Sequence, residues 1–166
     1  MSKHRWHLRS SPMSNRPEPN PKNFYPYMLT MTTRWNDQDI YGHMNNMVYG
    51  EMFDTVVNRL LIEHGVLDFQ TSTHIGLVVA SQYQFFEGAN YPEELDVGVG
   101  IHHVGRTSVG YSFALFRPGK EIAAAQGSYT HVFVERNSHK PTPLWPELRQ
   151  LMCKYWLRDG SMPPEA

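Results

Sequence analysis

The clearest helical pattern in the chain is the stretch NNMVYGEMFDTVVNRLLIEHG, residues 45–65. Its apolar residues recur at i, i+3, i+4, i+7 and i+8, with charged and polar residues between them, as on an amphipathic helix. Asn45 and Asn46 can accept hydrogen bonds from the free N–H groups at a helix start. Gly65 favours a left-handed stop at the other end. The stretch therefore predicts one long helix over residues 46–64.

Outside this helix, apolar residues alternate with small or polar residues, which is the period of β-strands. The alternation is clearest in LDVGVGI and VGYSFAL, and the tetrapeptide RPGK at residues 117–120 is typical of a tight turn between antiparallel strands. We predict strands at residues 27–35, 76–87, 95–101, 109–115 and 121–135. One long helix followed by about five antiparallel strands belongs to the α+β class, in which the helix covers a sheet face.

The two faces of the predicted sheet differ in side-chain size. Small residues occupy the even positions of the two clearest strands: Gly98, Gly100, Gly110, Ser112 and Ala114. Another element can approach that face closely, whereas the opposite face carries large apolar side chains. One helix covers only one face of such a sheet, so a second subunit is the simplest cover for the other. We therefore expect at least a dimer.

Proline divides the chain into a central unit and two ends. Five of the 12 prolines lie in residues 1–26 and five more in residues 141–164. Because proline fixes φ and removes a backbone donor, these segments make poor helix or strand interiors. We predict a poorly structured N-terminal extension at 1–26, one compact domain at 27–135, and a C-terminal tail at 136–166 that can form a short helix.

Composition excludes several classes of protein. The 166 residues suit one domain, and 40% hydrophobic with 19% charged residues argue against a disordered chain. No apolar run has the length of a membrane helix, and a net charge of −1 lacks the basic surplus that nucleic acid binding requires. The single cysteine, Cys153, favours a reducing compartment. We expect a cytoplasmic protein without nucleic acid or membrane partners.

Polar side chains with catalytic potential cluster around the predicted helix start, in RWNDQDIYGHMNNMVYGEMFD at residues 34–54. The free N–H groups of a helix N-terminus carry about half a positive charge, which suits a developing oxyanion. A carboxylate beside them, from Asp37 or Asp39, could attack a carbonyl or activate water. This arrangement is the geometry of acyl transfer.

Residue spacing leaves two other interpretations of this segment open. Asp37 and Asp39 could shape a turn at Gly42, with the two asparagines capping the helix. Asp37, Asp39 and His43 could instead bind a divalent metal. Three ligands in one short loop match no closed tetrahedral spacing, however, so we assign no metal site.

The segment that leads into the helix, DIYGHMNNMVY at residues 39–49, resembles the hot-dog fold thioesterases of the 4-hydroxybenzoyl-CoA thioesterase type. It is also similar to the D-x-x-x-H-x-N-N segment of acyl-acyl-carrier-protein thioesterases. The resemblance implies a sheet wrapped around the helix and dimers that share active sites at their interface. It also implies that Asp39 is the catalytic carboxylate, that the backbone amide near Asn46 polarises the thioester, and that His43 and Asn45 take part.

The same resemblance suggests residues that bind the substrate. Some branches of the family contribute a strand glutamate, for which the candidate is Glu87 in QYQFFEGANY. The turn HHVGRTS contains Arg106, Thr107 and Ser108 at about the place where relatives meet the phosphates of coenzyme A. A guanidinium and two hydroxyls suit a phosphate contact. An exposed strand-end acid and an ordinary hairpin would explain these residues equally well.

We therefore predict an acyl-CoA thioesterase that releases a free acid and coenzyme A. No metal or redox cofactor is expected, since coenzyme A is part of the substrate. An acyl-carrier-protein thioester is the other expected substrate, and a homodimer or a tetramer of dimers is the expected assembly. The alternatives are an enoyl-CoA hydratase or dehydratase on the same fold and a non-catalytic acyl-CoA binding protein.

Overall fold

The computed structural model describes residues 17–164. Residues 1–16, which form most of the predicted N-terminal extension, and residues 165–166 lie outside the described residues. The helices and strands are β1 Tyr27–Thr32, α1 Asn46–Glu63, β2 His74–Phe85, β3 Glu94–Val104, β4 Ser108–Phe116, β5 Ala125–Glu135 and α2 Pro146–Lys154. Short 3₁₀ turns occur at Lys22–Phe24 and Trp35–Asp37.

The five strands form one antiparallel sheet in the order β1-β3-β4-β5-β2, with α1 packed against one face. The turn at residues 117–120 leads from β4 towards β5, and Gly119 adopts the positive φ of 70° that such a turn favours. This architecture confirms the predicted α+β class, with one long helix and five antiparallel strands in the hot-dog arrangement.

The predicted element boundaries shift where other parts of the chain compete for backbone hydrogen bonds. The helix predicted at 46–64 ends one residue earlier. The strand predicted at 121–135 starts at Ala125, because the residues just before Ala125 pair with the N-terminal segment instead. There, the N–H of Lys22 donates to the Glu121 carbonyl at 2.8 Å.

The main core lies between α1 and the sheet. At its centre Phe53 of α1 stacks on Phe113 of β4, with ring centroids 4.3 Å apart and planes inclined by 21°. The apolar stripe recognised in the sequence is the buried face of α1, at Val48, Tyr49, Met52, Phe53, Val56, Val57, Leu60 and Leu61. The helical period therefore identified the side of α1 that faces the sheet.

The small-residue face of the sheet is covered partly by this chain's own terminal segments. A Cβ on Gly98 would lie 2.7 Å from the Cβ of Tyr25, and a Cβ on Gly100 would lie 2.5 Å from Cδ2 of Leu157. Tyr25 and Leu157 are both buried there, in a second apolar cluster with Phe116. The helix α1 covers one face of the sheet and these segments cover part of the other, so the expected second subunit is not needed as the cover for that part of the sheet.

The C-terminal segment also belongs to the packed unit. In α2, Leu148, Leu151 and Met152 are buried and join the main core. The packed unit thus extends past both ends of the predicted 27–135 domain, since Tyr25 and Leu157 are buried as well. The proline-rich C-terminal stretch thus contains the short helix that the sequence allowed, with Pro146 in its first turn, where proline is tolerated.

Strand β2 is one of the two edge strands of the sheet, the other being β1. It pairs with β5 on one side only, with a register shift between Val78 and Ala80, and most of its length is exposed. The exposed side chains include Leu77, Val78 and Val79, and the last of these is 60% exposed.

Neither α1 nor α2 has the length and apolar character needed to cross a membrane.

We expect Phe53→Ala to lower the free energy of unfolding by about 3–5 kcal/mol, because it empties a fully buried site beside Phe113. Denaturant unfolding followed by circular dichroism measures this change. Ile62→Ala is the matched control on the same helix, since Ile62 is 40% exposed and its loss should cost less than about 1 kcal/mol. Equal losses for the two variants would contradict the assignment of the buried face.

Candidate active site

Asp39 lies half-buried in the loop before α1, with one carboxylate oxygen held and the other free. Its Oδ1 accepts hydrogen bonds from the N–H of Tyr41 at 2.8 Å and of His43 at 3.4 Å. Gly42, with φ of 81°, supplies the left-handed conformation that this bend needs. Oδ2 accepts no hydrogen bond from any described residue. The loop therefore orients the carboxylate and leaves one oxygen for a ligand.

Asp37, the other acid of the segment, has a structural role. It is 1% exposed, and its carboxylate accepts hydrogen bonds from the Arg34 backbone N–H at 2.6 Å and from Arg34 Nε at 2.9 Å. Its carbonyl accepts the N–H of Asn45 at 2.8 Å. The turn-shaping interpretation therefore applies to Asp37, whose charge is offset by Arg34.

The two asparagines at the start of α1 have different environments. Asn45 is the N-cap: its Oδ1 accepts the N–H of Met47 at 2.9 Å, and its carbonyl accepts the N–H of Val48 at 2.9 Å. The backbone N–H of Asn46 has no acceptor within residues 17–164. Asn46 therefore presents a free amide at the positive end of the helix dipole.

Two hydrogen bonds of Ala89 join the segment after β2 to the start of α1. The Met44 N–H donates to the Ala89 carbonyl at 2.9 Å, and the Ala89 N–H donates to the Tyr49 hydroxyl at 2.9 Å. Burial raises the pKa of Tyr49, so it remains a neutral hydroxyl that accepts this bond. Beside it the His43 ring packs on Gly88, where a Cβ would lie 2.9 Å from His43 Cδ2.

These contacts form one surface cavity of about 310 Å³ in front of the helix N-terminus. Four of the predicted site residues line it: Asp39, His43, Asn46 and Glu87. The rest of its wall is mainly apolar and aromatic, with Tyr41, Met44, Tyr49, Phe85, Phe86 and Gly88. The cavity thus combines two carboxylates, an imidazole and a free helix amide with an apolar wall, whereas Asn45 caps the helix outside it.

Glu87 enters this cavity from the segment after β2 and is paired with Arg117. Arg117 Nη1 lies 2.5 Å from Glu87 Oε1, and the same guanidinium binds Glu93 through Nη2 at 2.6 Å. The pKa of Arg117 is raised, chiefly by its hydrogen bond to Glu93. Glu87 is therefore a partly exposed acid whose charge is compensated, rather than an isolated strand-end residue.

The hairpin with Arg106, Thr107 and Ser108 lies at the opposite end of the sheet. The Thr107 carbonyl accepts the N–H of Phe133 near the end of β5, whereas the cavity residue Phe86 donates its N–H to Ala124 just before β5. The strand path from residue 124 to residue 133 covers about 30 Å at roughly 3.3 Å per residue. Within one chain, this hairpin does not meet the cavity.

The metal interpretation of the loop finds no support in its geometry. The Asp37 carboxylate is buried against Arg34, while Asp39 and His43 face the cavity. Across residues 17–164, no three His, Cys, Asp or Glu side chains are grouped closely enough to hold a metal ion.

Sequence reasoning missed three residues that build the site. Tyr49 was recognised only as part of the apolar stripe of the helix, and Ala89 carried no signal at all. Arg117 was recognised only as a turn residue, although it is the cation paired with Glu87. Its neighbours along the chain give no sign of this pairing, because Glu87 lies 30 positions away.

Comparison with known proteins supports this architecture. The family model of the thioesterase-like superfamily matches residues 33–152. The PA5185 protein from Pseudomonas aeruginosa is 41% identical to this chain, with a TM-score of 0.82 over 86% of this chain and 99% of that one. No curated protein sequence matches the chain.

More distant solved structures share the fold. The DHNA-CoA thioesterase from Staphylococcus aureus is 19% identical, with a TM-score of 0.70 over 76% of this chain and 88% of that one. Slr0204, a 1,4-dihydroxy-2-naphthoyl-CoA thioesterase from Synechocystis, is 16% identical, with a TM-score of 0.69 over 76% and 95%. Together with the family match and the observed sheet and helix, the conclusion is that the chain belongs to the thioesterase-like superfamily and is a thioester hydrolase of the hot-dog fold.

Proposed function

We propose that this thioester hydrolase acts on acyl-CoA, with Asp39 as the catalytic carboxylate and the backbone amide of Asn46 as the group that polarises the thioester carbonyl. The observation that carries the proposal is that Asp39 and Asn46 line the same cavity. Asp39 has a free oxygen there, and Asn46 has a free N–H at a helix N-terminus. A base and an oxyanion donor are the two groups that thioester hydrolysis needs most.

In the proposed reaction, Asp39 Oδ2 takes a proton from water as the water oxygen attacks the thioester carbon. The carbonyl oxygen gains negative charge, which the Asn46 N–H and the helix dipole stabilise. The carbon–sulfur bond then breaks, and the thiolate takes up the proton that Asp39 removed from water, so that coenzyme A leaves as the thiol and the carboxylate is regenerated. In direct attack, Asp39 Oδ2 itself would bond to the thioester carbon and expel the coenzyme A thiolate, forming an anhydride that water then opens.

His43 is proposed to assist rather than to start the reaction. Its ring lies on Gly88 at the cavity wall, and its backbone N–H donates to Asp39 Oδ1. From this position the imidazole can orient water or donate a proton to the departing thiolate. Asn45 is proposed to act through the cap that aligns the first turn of α1.

The cavity wall favours a neutral acyl group. Four aromatic side chains and Met44 make up half of the lining residues, and these suit an apolar or aromatic acyl chain. The charged groups that line it include the carboxylates of Asp39 and Glu87. An acyl group that carries its own carboxylate would be repelled by the unpaired carboxylate of Asp39, so we propose an uncharged one.

A second copy of the chain is proposed to complete the site through β2. This edge strand has 12 residues and exposes Leu77, Val78 and Val79. A long apolar edge with unpaired backbone groups is a template for another strand. Antiparallel pairing of β2 with its copy would extend the sheet and place the start of one β2 beside the end of the other.

That pairing would also give the β3–β4 hairpin a role in binding coenzyme A. The hairpin of the second copy would then lie at the same end of the combined sheet as the cavity of the first copy. Three strand spacings, about 14 Å at roughly 4.8 Å each, would separate β2 of the first copy from β4 of the second. The pantetheine arm of coenzyme A separates its phosphates from the thioester and could bridge this gap. Arg106, Thr107 and Ser108 are therefore proposed to bind phosphate across the dimer.

We expect Asp39→Asn to lower kcat by roughly 10²–10⁴-fold, because the amide cannot accept a proton from water. Release of free thiol from a chain-length series of neutral acyl-CoA substrates measures this rate. Glu147→Gln, which neutralises an exposed carboxylate on α2, is the matched control and should leave kcat unchanged.

Two alternative functions give different results in the same assay. A hydratase would consume the conjugated double bond of an enoyl-CoA and release no thiol. A non-catalytic sensor would bind acyl-CoA saturably without turnover, and Asp39→Asn would bind it equally well. Full turnover in Asp39→Asn would refute the role of this carboxylate.

We expect Arg106→Ala to raise KM for acyl-CoA by roughly tenfold with little change in kcat, because it removes a charge-assisted phosphate contact far from the reacting carbon. The KM for an acyl-N-acetylcysteamine thioester, which lacks the phosphates, should not change. Arg158→Ala, at another exposed position, serves as the control. An equal rise in KM for both thioesters would contradict a phosphate contact.

We expect Val79→Lys to dissociate the dimer, because pairing of two β2 edges would have to desolvate an ammonium group. Light scattering after size-exclusion chromatography measures the mass. The same substitution at Gln70, in an exposed loop, should leave the mass unchanged. A monomeric wild-type chain with full activity would refute the shared site.

A further inference from the structure

Arg117 forms a charge bridge between two carboxylates, one of which lines the proposed active site. Its Nε and Nη2 bind the two oxygens of Glu93 at 3.1 and 2.6 Å, a bidentate arrangement. Its remaining terminal nitrogen, Nη1, donates to Glu87 Oε1 at 2.5 Å. One guanidinium thus connects the turn after β4 with the cavity.

The two ends of this bridge differ in how firmly they are held. The Glu93 side chain is 14% exposed, and Thr33 holds its backbone on both sides. The Thr33 N–H donates to the Glu93 carbonyl at 2.9 Å, and the Glu93 N–H donates to Thr33 Oγ1 at 2.8 Å. The Glu87 side chain is 48% exposed, and its carboxylate contacts no cation other than Arg117 within residues 17–164.

Because its two ends are held unequally, the ion-pair bridge positions Glu87 relative to Glu93. Glu93 anchors the guanidinium, since it holds two of its nitrogens from a less exposed position than that of Glu87. Arg117 then sets the position of the looser carboxylate, Glu87. The backbone supports this geometry, because the N–H groups of Phe86 and Glu87 both donate to the Ala124 carbonyl, at 2.8 and 3.0 Å.

We propose that Arg117 is a positioning residue that holds Glu87 at the cavity wall and offsets its charge beside Asp39. This role rests on the proposed function of the cavity. Two carboxylates in one cleft repel each other and compete for the same water and proton. With Glu87 held by a guanidinium, Asp39 is the carboxylate left to act as base.

Loss of Arg117 would release the Glu87 carboxylate and leave its charge uncompensated. The free carboxylate could then turn towards the cavity and disturb the water beside Asp39. Displacements of about 1 Å in a reacting group cost up to roughly 10²-fold in rate. The effect should appear in kcat, since Arg117 itself does not line the cavity.

The test is a double-mutant cycle on activity with Arg117→Gln and Glu87→Gln. We expect Arg117→Gln alone to lower kcat by roughly 10- to 100-fold with little change in KM. In the Glu87→Gln background the same substitution should have no further effect on kcat, because the charge that Arg117 offsets is absent. Arg117→Lys should recover part of the loss, since it keeps the charge but not the planar fork.

Stability is measured beside activity in every variant by thermal unfolding. Arg59→Gln, which breaks a surface ion pair with Glu63 within α1, is the matched control and should leave kcat unchanged. Should Arg117→Gln be too unstable to assay, Arg117→Lys in both backgrounds carries the same comparison. A purely structural Arg117 would give equal losses with and without Glu87.

The outcomes separate this inference from the proposed function. If the wild-type chain turns over substrate, two results refute the positioning role alone. In the first, Arg117→Gln leaves kcat unchanged; in the second, it lowers kcat equally with and without the Glu87→Gln substitution. A wild-type chain that releases no thiol from any acyl-CoA refutes the proposed function and this role with it. A loss of kcat that vanishes in the Glu87→Gln background supports both.

Discussion

The two backbone hydrogen bonds of Ala89 are the constraint on which the site depends. They join the segment after β2 to the loop before α1, at Met44, and to the first turns of the helix, at Tyr49. Ala89 is fully buried, so water cannot replace these partners. These two bonds hold the segment with the strand-end carboxylate and the loop with Asp39 at one cavity, and the packing of the His43 ring on Gly88 adds to them.

The charges around the cavity follow from this constraint. Once the segment after β2 lies against the helix, three carboxylates come close to the helix N-terminus. Asp37 and Glu87 are each paired with a guanidinium, from Arg34 and Arg117 respectively. Asp39 instead receives backbone N–H groups on one oxygen, which orients it without neutralising it. An oriented, unpaired carboxylate beside a free helix amide is the chemical core of the proposed site.

Prediction from the sequence succeeded where a local pattern has a single physical meaning. The spacing of apolar residues identified α1 and its buried face, and alternation identified the strands, because each period matches one backbone geometry. The same local physics placed Asp39 near a helix N-terminus. It could not separate the roles of Asn45 and Asn46, since either asparagine could cap the helix and both carry a backbone N–H, so that only the hydrogen bonds distinguish the cap from the free amide.

The sequence alone specified the helix, the strands, their antiparallel class and the polar segment at the start of α1, because these depend on residues within a few positions of one another. The distance of Arg106 from the cavity, the pairing of Arg117 with Glu87 and the burial of α2 were settled by the folded chain. Each depends on strand order and register, which bring together residues far apart in sequence. No short-range pattern encodes such contacts, since their energy is gained only when the sheet closes over the helix.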